Sequence, residues 1–317
     1  MHRKKTRLAA RAQRVAGALE RRGIRATYEL HDRVLANRRS RRMYGRNVPG
    51  LDETQQRIVD ALDADGYAIV PFADLADEAS RAAVERQGAD FVAETEAALE
   101  REARGERDET LRRRQGKEFV VRLHSYGDVR LGPDDPWLSV CLSRRMLDVA
   151  SSYLRMWPVL EYIDVWYTAP QPQDAERVAS QRWHRDYDDR HLLKAFLYLV
   201  DVDEETGPFE YVPGSAGKGP YAKEWPWRPL GENYPSPEAL RERVPDTAVK
   251  TFTAPKGTVI LCDTSGFHRG GFATGKPRVL ATATYASPAS LRSLTERNYT
   301  FTGSPDSLDP LQRYAAV

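Results

Sequence analysis

The chain has 317 residues, 41% of them hydrophobic and 30% charged, with a net charge of only +2 and two cysteines. Its length allows one large or two small domains, no apolar run approaches the ~18 residues of a spanning helix, and no short apolar stretch with a cleavage pattern marks a secretory signal. A soluble, cytoplasmic protein is expected, and two distant cysteines in apolar surroundings, Cys141 and Cys262, read as reduced core residues rather than a disulfide scaffold.

The near-neutral total conceals an asymmetry at the N-terminus. Residues 1–46 hold fifteen Lys or Arg against Glu20, Glu29 and Asp32, a net +12 that leaves −10 for the rest. Leu8, Val15 and Leu19 share one helical face, so residues 1–48 read as a basic, helical extension. Such an arm suits docking to an anionic surface or an acidic carrier protein; no specific nucleic-acid binding is expected. The remaining residues, 49–317, read as the functional domain.

Asp52 through Asp63 has helical character, with Ile58, Val59 and Leu62 as its apolar contacts and Gly66 as its stop. Residues 74–114 read as two surface helices broken near Gly88 and Gly105. A further helix at Leu147–Leu154 leads to a strand at Val159–Thr168, where Glu161, Ile163, Val165 and Tyr167 alternate with Tyr162, Asp164 and Trp166. Polar groups on both faces of a central strand imply that one face lines a wet cavity. Strand-like segments recur at 192–203, 209–213, 248–253, 257–263 and 278–286. Many short strands with Gly and Pro punctuation predict a mainly β fold with a helical buttress, a double-sheet jelly roll. The stretch Gly217–Asp246 carries Tyr221, Trp225, Trp227 and Tyr234 among six prolines. A long aromatic-rich loop in a compact domain is expected to be functional, and it reads as a lid.

The chemistry concentrates in Gln181-Arg182-Trp183-His184-Arg185-Asp186, answered downstream by Phe267-His268-Arg269-Gly270 and Gly275-Lys276-Pro277-Arg278. An H-x-D pair with a distant second histidine supplies two neutral imidazoles and one carboxylate, the donor set of a facial iron(II) site with open positions for cosubstrate and oxygen. Arg278, ten residues past His268, adds a fixed cation where a second carboxylate can dock. Both ligand sets fall at the ends of apolar, strand-like runs, Ala195–Val200 and Gly257–Asp263, where a rigid site belongs.

The order and spacing of Trp183–Asp186, Leu197–Ser215, Gly257–Gly271 and Lys276–Arg278 resemble the phytanoyl-CoA dioxygenase family of iron(II)/2-oxoglutarate oxygenases, over roughly residues 51–290. Leu62–Pro71 is similar to that family's opening helix-to-strand segment. The resemblance implies a double-stranded β-helix of cupin-like type, Fe(II), 2-oxoglutarate and O2 as cofactor and cosubstrates, and a small-molecule or carrier-bound substrate hydroxylated with release of succinate and CO2. It makes His184, Asp186 and His268 the iron ligands and Arg278 the partner of the distal 2-oxoglutarate carboxylate. Some enzymes of the wider class place Ser or Thr two residues after that Arg; this chain has Leu280. A second hydroxyl donor is therefore unassigned. The other readings are a cupin-fold isomerase holding a different metal, or a binding module whose H-x-D is vestigial; Arg278 argues against the module. The His184-Arg185-Asp186 triplet is not a kinase loop, because His191 stands where that loop needs Asn.

Around the motif, Trp183 alternates with His184 and is expected in the core. Lys194 interrupts an apolar strand and lines either a cavity or a solvated edge, and His191 reads as an exposed turn. His124 is expected to be structural, and Arg122 is a second cation within reach of the cosubstrate region.

Overall fold

The structure, a computed structural model, describes residues 23, 27–106, 111, 113–114, 117–124, 129–217, 219–229, 234–291 and 298–316. The Leu8, Val15 and Leu19 face lies outside these residues.

A π-helical stretch at His31–Ala36 runs into α1 (Asn37–Arg46). α2 (Glu53–Asp65) opens on a reciprocal cap. Asp52 Oδ1 accepts from the Gln55 N–H at 2.8 Å, and Gln55 Oε1 accepts from the Asp52 N–H at 3.0 Å. Gly66, at φ +81°, closes the helix in the left-handed conformation that a residue without Cβ adopts readily. β1 (Tyr67–Pro71) follows, then α3 (Glu78–Ala103). The break expected near Gly88 does not occur, because this glycine is a packing contact rather than a stop. A Cβ there would lie 2.8 Å from Leu199 Cδ1, so the helix passes intact over that side chain.

The chain continues through β2 (Arg113–Arg114), β3 (Lys117–Arg122), β4 (Arg130–Leu131), α4 (Pro136–Cys141), α5 (Arg144–Leu154) and β5 (Val159–Thr168). Then come β6 (Leu192–Tyr198), β7 (Phe209–Tyr211), α6 (Pro237–Arg241), β8 (Lys250–Phe252), β9 (Thr258–Cys262), β10 (His268–Arg269), β11 (Arg278–Ala286), β12 (Thr300–Phe301) and α7 (Pro310–Ala316).

Seven strands form the major sheet in the order β1-β9-β6-β11-β5-β3-β2, and β10-β7-β8 form a minor one. Period-two alternation divides the major sheet into two unlike faces. Ile163, Val165, Leu193, Ala195, Leu197, Ala281 and Ala283 point outward into one buried cluster with Ile58 and Leu62 of α2, Leu138 of α4 and Leu147 of α5. On the other face Phe196, Tyr198, Ile260 and Leu280 meet Phe209, Tyr211 and Phe252 of the minor sheet. Two apposed antiparallel sheets with helices on one outer face make the mainly β, double-stranded β-helix with helical buttress that the strand pattern predicts. None of the described helices is long and apolar enough to cross a membrane, and Cys141 and Cys262 are both buried and free.

Residues 27–46 pack on this domain. The Tyr28 hydroxyl donates to Asp189 Oδ1 at 2.8 Å, Asn37 Nδ2 to Ser287 Oγ at 3.0 Å, and the Ser40 hydroxyl to the Trp157 carbonyl at 2.7 Å. These bonds tie the described part of the basic extension to loops of the domain.

Candidate active site

The backbone brings the H-x-D pair and the distant histidine together. His184 and His268 form an antiparallel bridge in which each N–H donates to the other's carbonyl at 2.9 Å, and the Asp186 N–H donates to the Thr264 carbonyl at 2.9 Å. The ligating atoms of His184, Asp186 and His268 consequently lie within 4.8 Å of one another. His184 Nε2 is 3.9 Å from Asp186 Oδ1, and His268 Nε2 is 3.8 Å from Asp186 Oδ2. Each imidazole is oriented from behind: Nδ1 of His184 bonds the Arg182 carbonyl at 2.8 Å, and Nδ1 of His268 bonds that of Gly266 at 3.1 Å. A carbonyl can only accept, so Nδ1 carries the proton and the bare Nε2 lone pair faces the shared space.

Electrostatics hold the trio in its metal-binding protonation states. Burial pulls the His184 imidazole well below its ordinary value and takes His268 down to about 4, so both are neutral at pH 7. Burial pushes Asp186 up, but Lys194 and the two histidines outweigh it and hold the carboxyl below its usual range. Two neutral imidazoles and one carboxylate converging on one buried point fit a single divalent iron.

The centre opens into a cavity of about 410 Å³ between the sheets, walled by residues including Tyr162, Trp166, Phe196, Phe209 and Tyr234. Tyr162, Trp166 and Thr168 line it from one face of β5, the wet face expected of that strand. Arg278 enters from β11, buried, donating NH1 to the Gly207 carbonyl at 2.6 Å; its Nε has no hydrogen-bond partner among the described residues. Directly across in register stands Thr168, which also lines the cavity and whose Oγ1 has no partner among them. A buried cation beside an unsatisfied hydroxyl is a cradle for a carboxylate. Thr168 escaped the sequence reading, which looked for a hydroxyl two residues after Arg278; the alternation of 162, 164, 166 and 168 on β5 carried the signal.

The remaining candidates separate cleanly. Lys194 faces the cavity, with Nζ 2.5 Å from Asp186 Oδ2. Arg122 lines it too, with its guanidinium 5.1 Å from the Trp166 ring and NH1 donating to the Tyr162 hydroxyl at 3.2 Å. Arg269 instead forks onto Glu210. Trp183 is buried with Val212, Leu240, Val244 and Phe267, and His124 sits 3.9 Å from Asp135, away from the metal trio. His191 is not an exposed turn. Its Nε2 lies 3.2 Å from Asp32, and the adjacent Asp189 is fully buried, accepting from Tyr28 and the Ser287 N–H.

Arg185, the central residue of H-x-D, has a role the sequence did not disclose. Its buried guanidinium donates to the carbonyls of Ser215, Tyr221, Glu224, Trp225 and Ser265 and lies 3.9 Å from the Phe267 ring centroid. One side chain thus ties the start of the 217–246 loop to the segments that carry Asp186 and His268. The same loop sends Trp227 Nε1 to the Asp186 carbonyl at 2.6 Å and stacks Tyr234 on His184 at 5.1 Å, 8° from parallel.

The family model for phytanoyl-CoA dioxygenase matches residues 53–279, well over half of the chain. The chain belongs to the phytanoyl-CoA dioxygenase family. As a member it is an iron(II)- and 2-oxoglutarate-dependent oxygenase. No curated protein matches the sequence. Among solved structures, EctD from S. alaskensis in its apoform is similar over 80% of this chain and 91% of its own, at 19% identity and a TM-score of 0.50, which supports the fold. AviO1 from Streptomyces viridochromogenes (18% identity, 76% and 98% covered, TM-score 0.47) and the epimerase SnoN from nogalamycin biosynthesis (19%, 74% and 83%, 0.47) are more distant in shape.

Proposed function

We propose that this family member hydroxylates a small-molecule substrate at an iron(II) held by His184, Asp186 and His268, with Arg278 and Thr168 anchoring the distal carboxylate of 2-oxoglutarate. The convergence of two Nε2 lone pairs and the Asp186 carboxylate at one buried point carries the reading. Bound iron with 2-oxoglutarate and O2 supplies oxidation of a substrate C–H bond, coupled to decarboxylation of the ketoacid to succinate and CO2.

The chain's own residues do the positioning. The His184–His268 bridge fixes ligand spacing, and the two carbonyls behind Nδ1 fix the ring planes. The Arg278 fork stays charged and suits a planar carboxylate better than an ammonium would. Tyr234 and Trp227, held by the loop that Arg185 gathers, exclude water from the His184 side, so residues 217–246 act as a lid. The basic arm gives residues 1–46 a means of docking on an anionic surface or acidic carrier. Two free, buried thiols suit a reducing compartment, in keeping with a cytoplasmic location.

Replacing Asp186 with Ala tests the metal assignment. Iron titration of the purified variant is expected to show loss of stoichiometric Fe(II), and 2-oxoglutarate-dependent succinate release is expected to vanish. Full iron occupancy in a His184→Ala, His268→Ala double variant would refute it.

A further inference from the structure

The proposed reaction draws on the counter-charge of Lys194. Iron's two positive charges and that of Arg278 are balanced by Asp186 and the two carboxylates of 2-oxoglutarate. Lys194, whose ion-pair partner among the described residues is Asp186, is then in surplus. Its side chain is only 16% exposed, and a largely desolvated cation is costly unless an anion meets it.

Beside Lys194 on the same sheet face stands Thr284, paired with it in register. Thr284 is 1% exposed and lines the cavity, yet its Oγ1 has no hydrogen-bond partner among the described residues. It lies six positions along β11 from Arg278, roughly 20 Å of extended strand, so a carboxylate gripped by Arg278 cannot also accept from Thr284. Between the two ends the walls are aromatic, with Tyr162, Trp166 and Tyr234.

We propose that Lys194 and Thr284 form the docking subsite for an anionic group of the substrate, and that the substrate is an organic acid whose apolar body lies against Tyr162, Trp166 and Tyr234. The inference rests on the assignment of Asp186 to iron, because only then is the Lys194 charge released to a second partner. An ammonium and a hydroxyl donate to two oxygens of one carboxylate, and the anion restores neutrality next to the metal.

Fluorine NMR of the full chain loaded with Mn(II) and saturating 2-oxoglutarate tests it, with para-fluorobenzoate and para-fluorobenzamide as probes of one shape and different charge. The paramagnetic ion broadens whichever probe sits beside it, and saturating 2-oxoglutarate covers Arg278. The benzoate is expected to broaden at concentrations where the benzamide does not. Lys194→Met should weaken it by ~10-fold or more, Thr284→Val by less, and Lys194→Arg should retain most of the preference, with thermal melts confirming that each variant is folded. Equal broadening of the two probes by the wild type, or undiminished benzoate binding by folded Lys194→Met, would overturn the proposal. A Lys194→Met protein that weakens 2-oxoglutarate but keeps the benzoate preference would assign Lys194 to the cosubstrate instead. Mn(II) binding that survives Asp186→Ala would mean the metal reading itself is wrong, and the proposal would fall with it.

Discussion

The outward and inward faces of β6 and β11 are built from alternate residues of the same two strands, yet they obey different rules. Leu193, Ala195, Leu197, Ala281 and Ala283 face the helices and are interchangeable in kind: each must only be apolar and fit. Lys194, Thr282, Thr284 and Arg278 face the cavity, where each polar group is singular and two atoms, Arg278 Nε and Thr284 Oγ1, have no hydrogen-bond partner among the described residues. One face stores the stability that lets the other keep unsatisfied, reactive groups in place.

The comparison can be broken from either side. The largest effect is expected at Leu197, fully buried on the outward face. Leu197→Ala should lower unfolding free energy by ~2–5 kcal/mol in urea melts while leaving iron per folded molecule unchanged. Impaired iron binding in the folded fraction would show that the two faces are not separable.

A pH series on metal-free protein probes the inward face next. A histidine whose folded pKa lies below its unfolded value takes up protons more readily when unfolded. The contribution of His268 is therefore complete above its ordinary 6.5 and declines as pH falls toward about 4. The decline amounts to on the order of 3 kcal/mol, and His268→Gln should flatten it. An unaltered pH profile in that variant would remove His268 as its source.

Arg278→Ala should raise the KM for 2-oxoglutarate about thirty-fold or more, a loss of ~2 kcal/mol or more, with iron content preserved. Arg278→Lys should recover only part of this, since a point charge lacks the fork. An unchanged KM would shift the anchoring to Arg122, the other guanidinium in the cavity wall. The smallest effect concerns the N-terminal segment: Tyr28→Phe removes a donor to the buried Asp189 and should cost ~1–3 kcal/mol of stability. A neutral result would restore residues 27–46 to the status of a loose extension.

The sequence disclosed most of the architecture because its strands are short, apolar and punctuated. Val159–Thr168 and the run ending at Ala286 were readable to the residue. The convergence of His184, Asp186 and His268 was legible because H-x-D is local and His268 is flanked by strand-like runs. Three features were not. Gly88 looked like a helix stop because its contact with Leu199 is tertiary. Thr168 was hidden because its relation to Arg278 is one of cross-strand register, not of sequence spacing. The attachment of residues 27–46 was the third, because Tyr28, Asn37 and Ser40 act through single hydrogen bonds to positions more than a hundred residues away.

The reciprocal hydrogen bonds between His184 and His268 bear on how the molecule is born. During synthesis, the carboxylate and first imidazole emerge from the ribosome well before the histidine that completes them, with the whole lid loop in between. Until β10 docks on β7, the nascent chain offers only a weak, open chelate. An iron held by all three side chains would therefore be captured only after the minor sheet closes, and cells short of iron are expected to accumulate a folded, metal-receptive protein rather than an unfolded one.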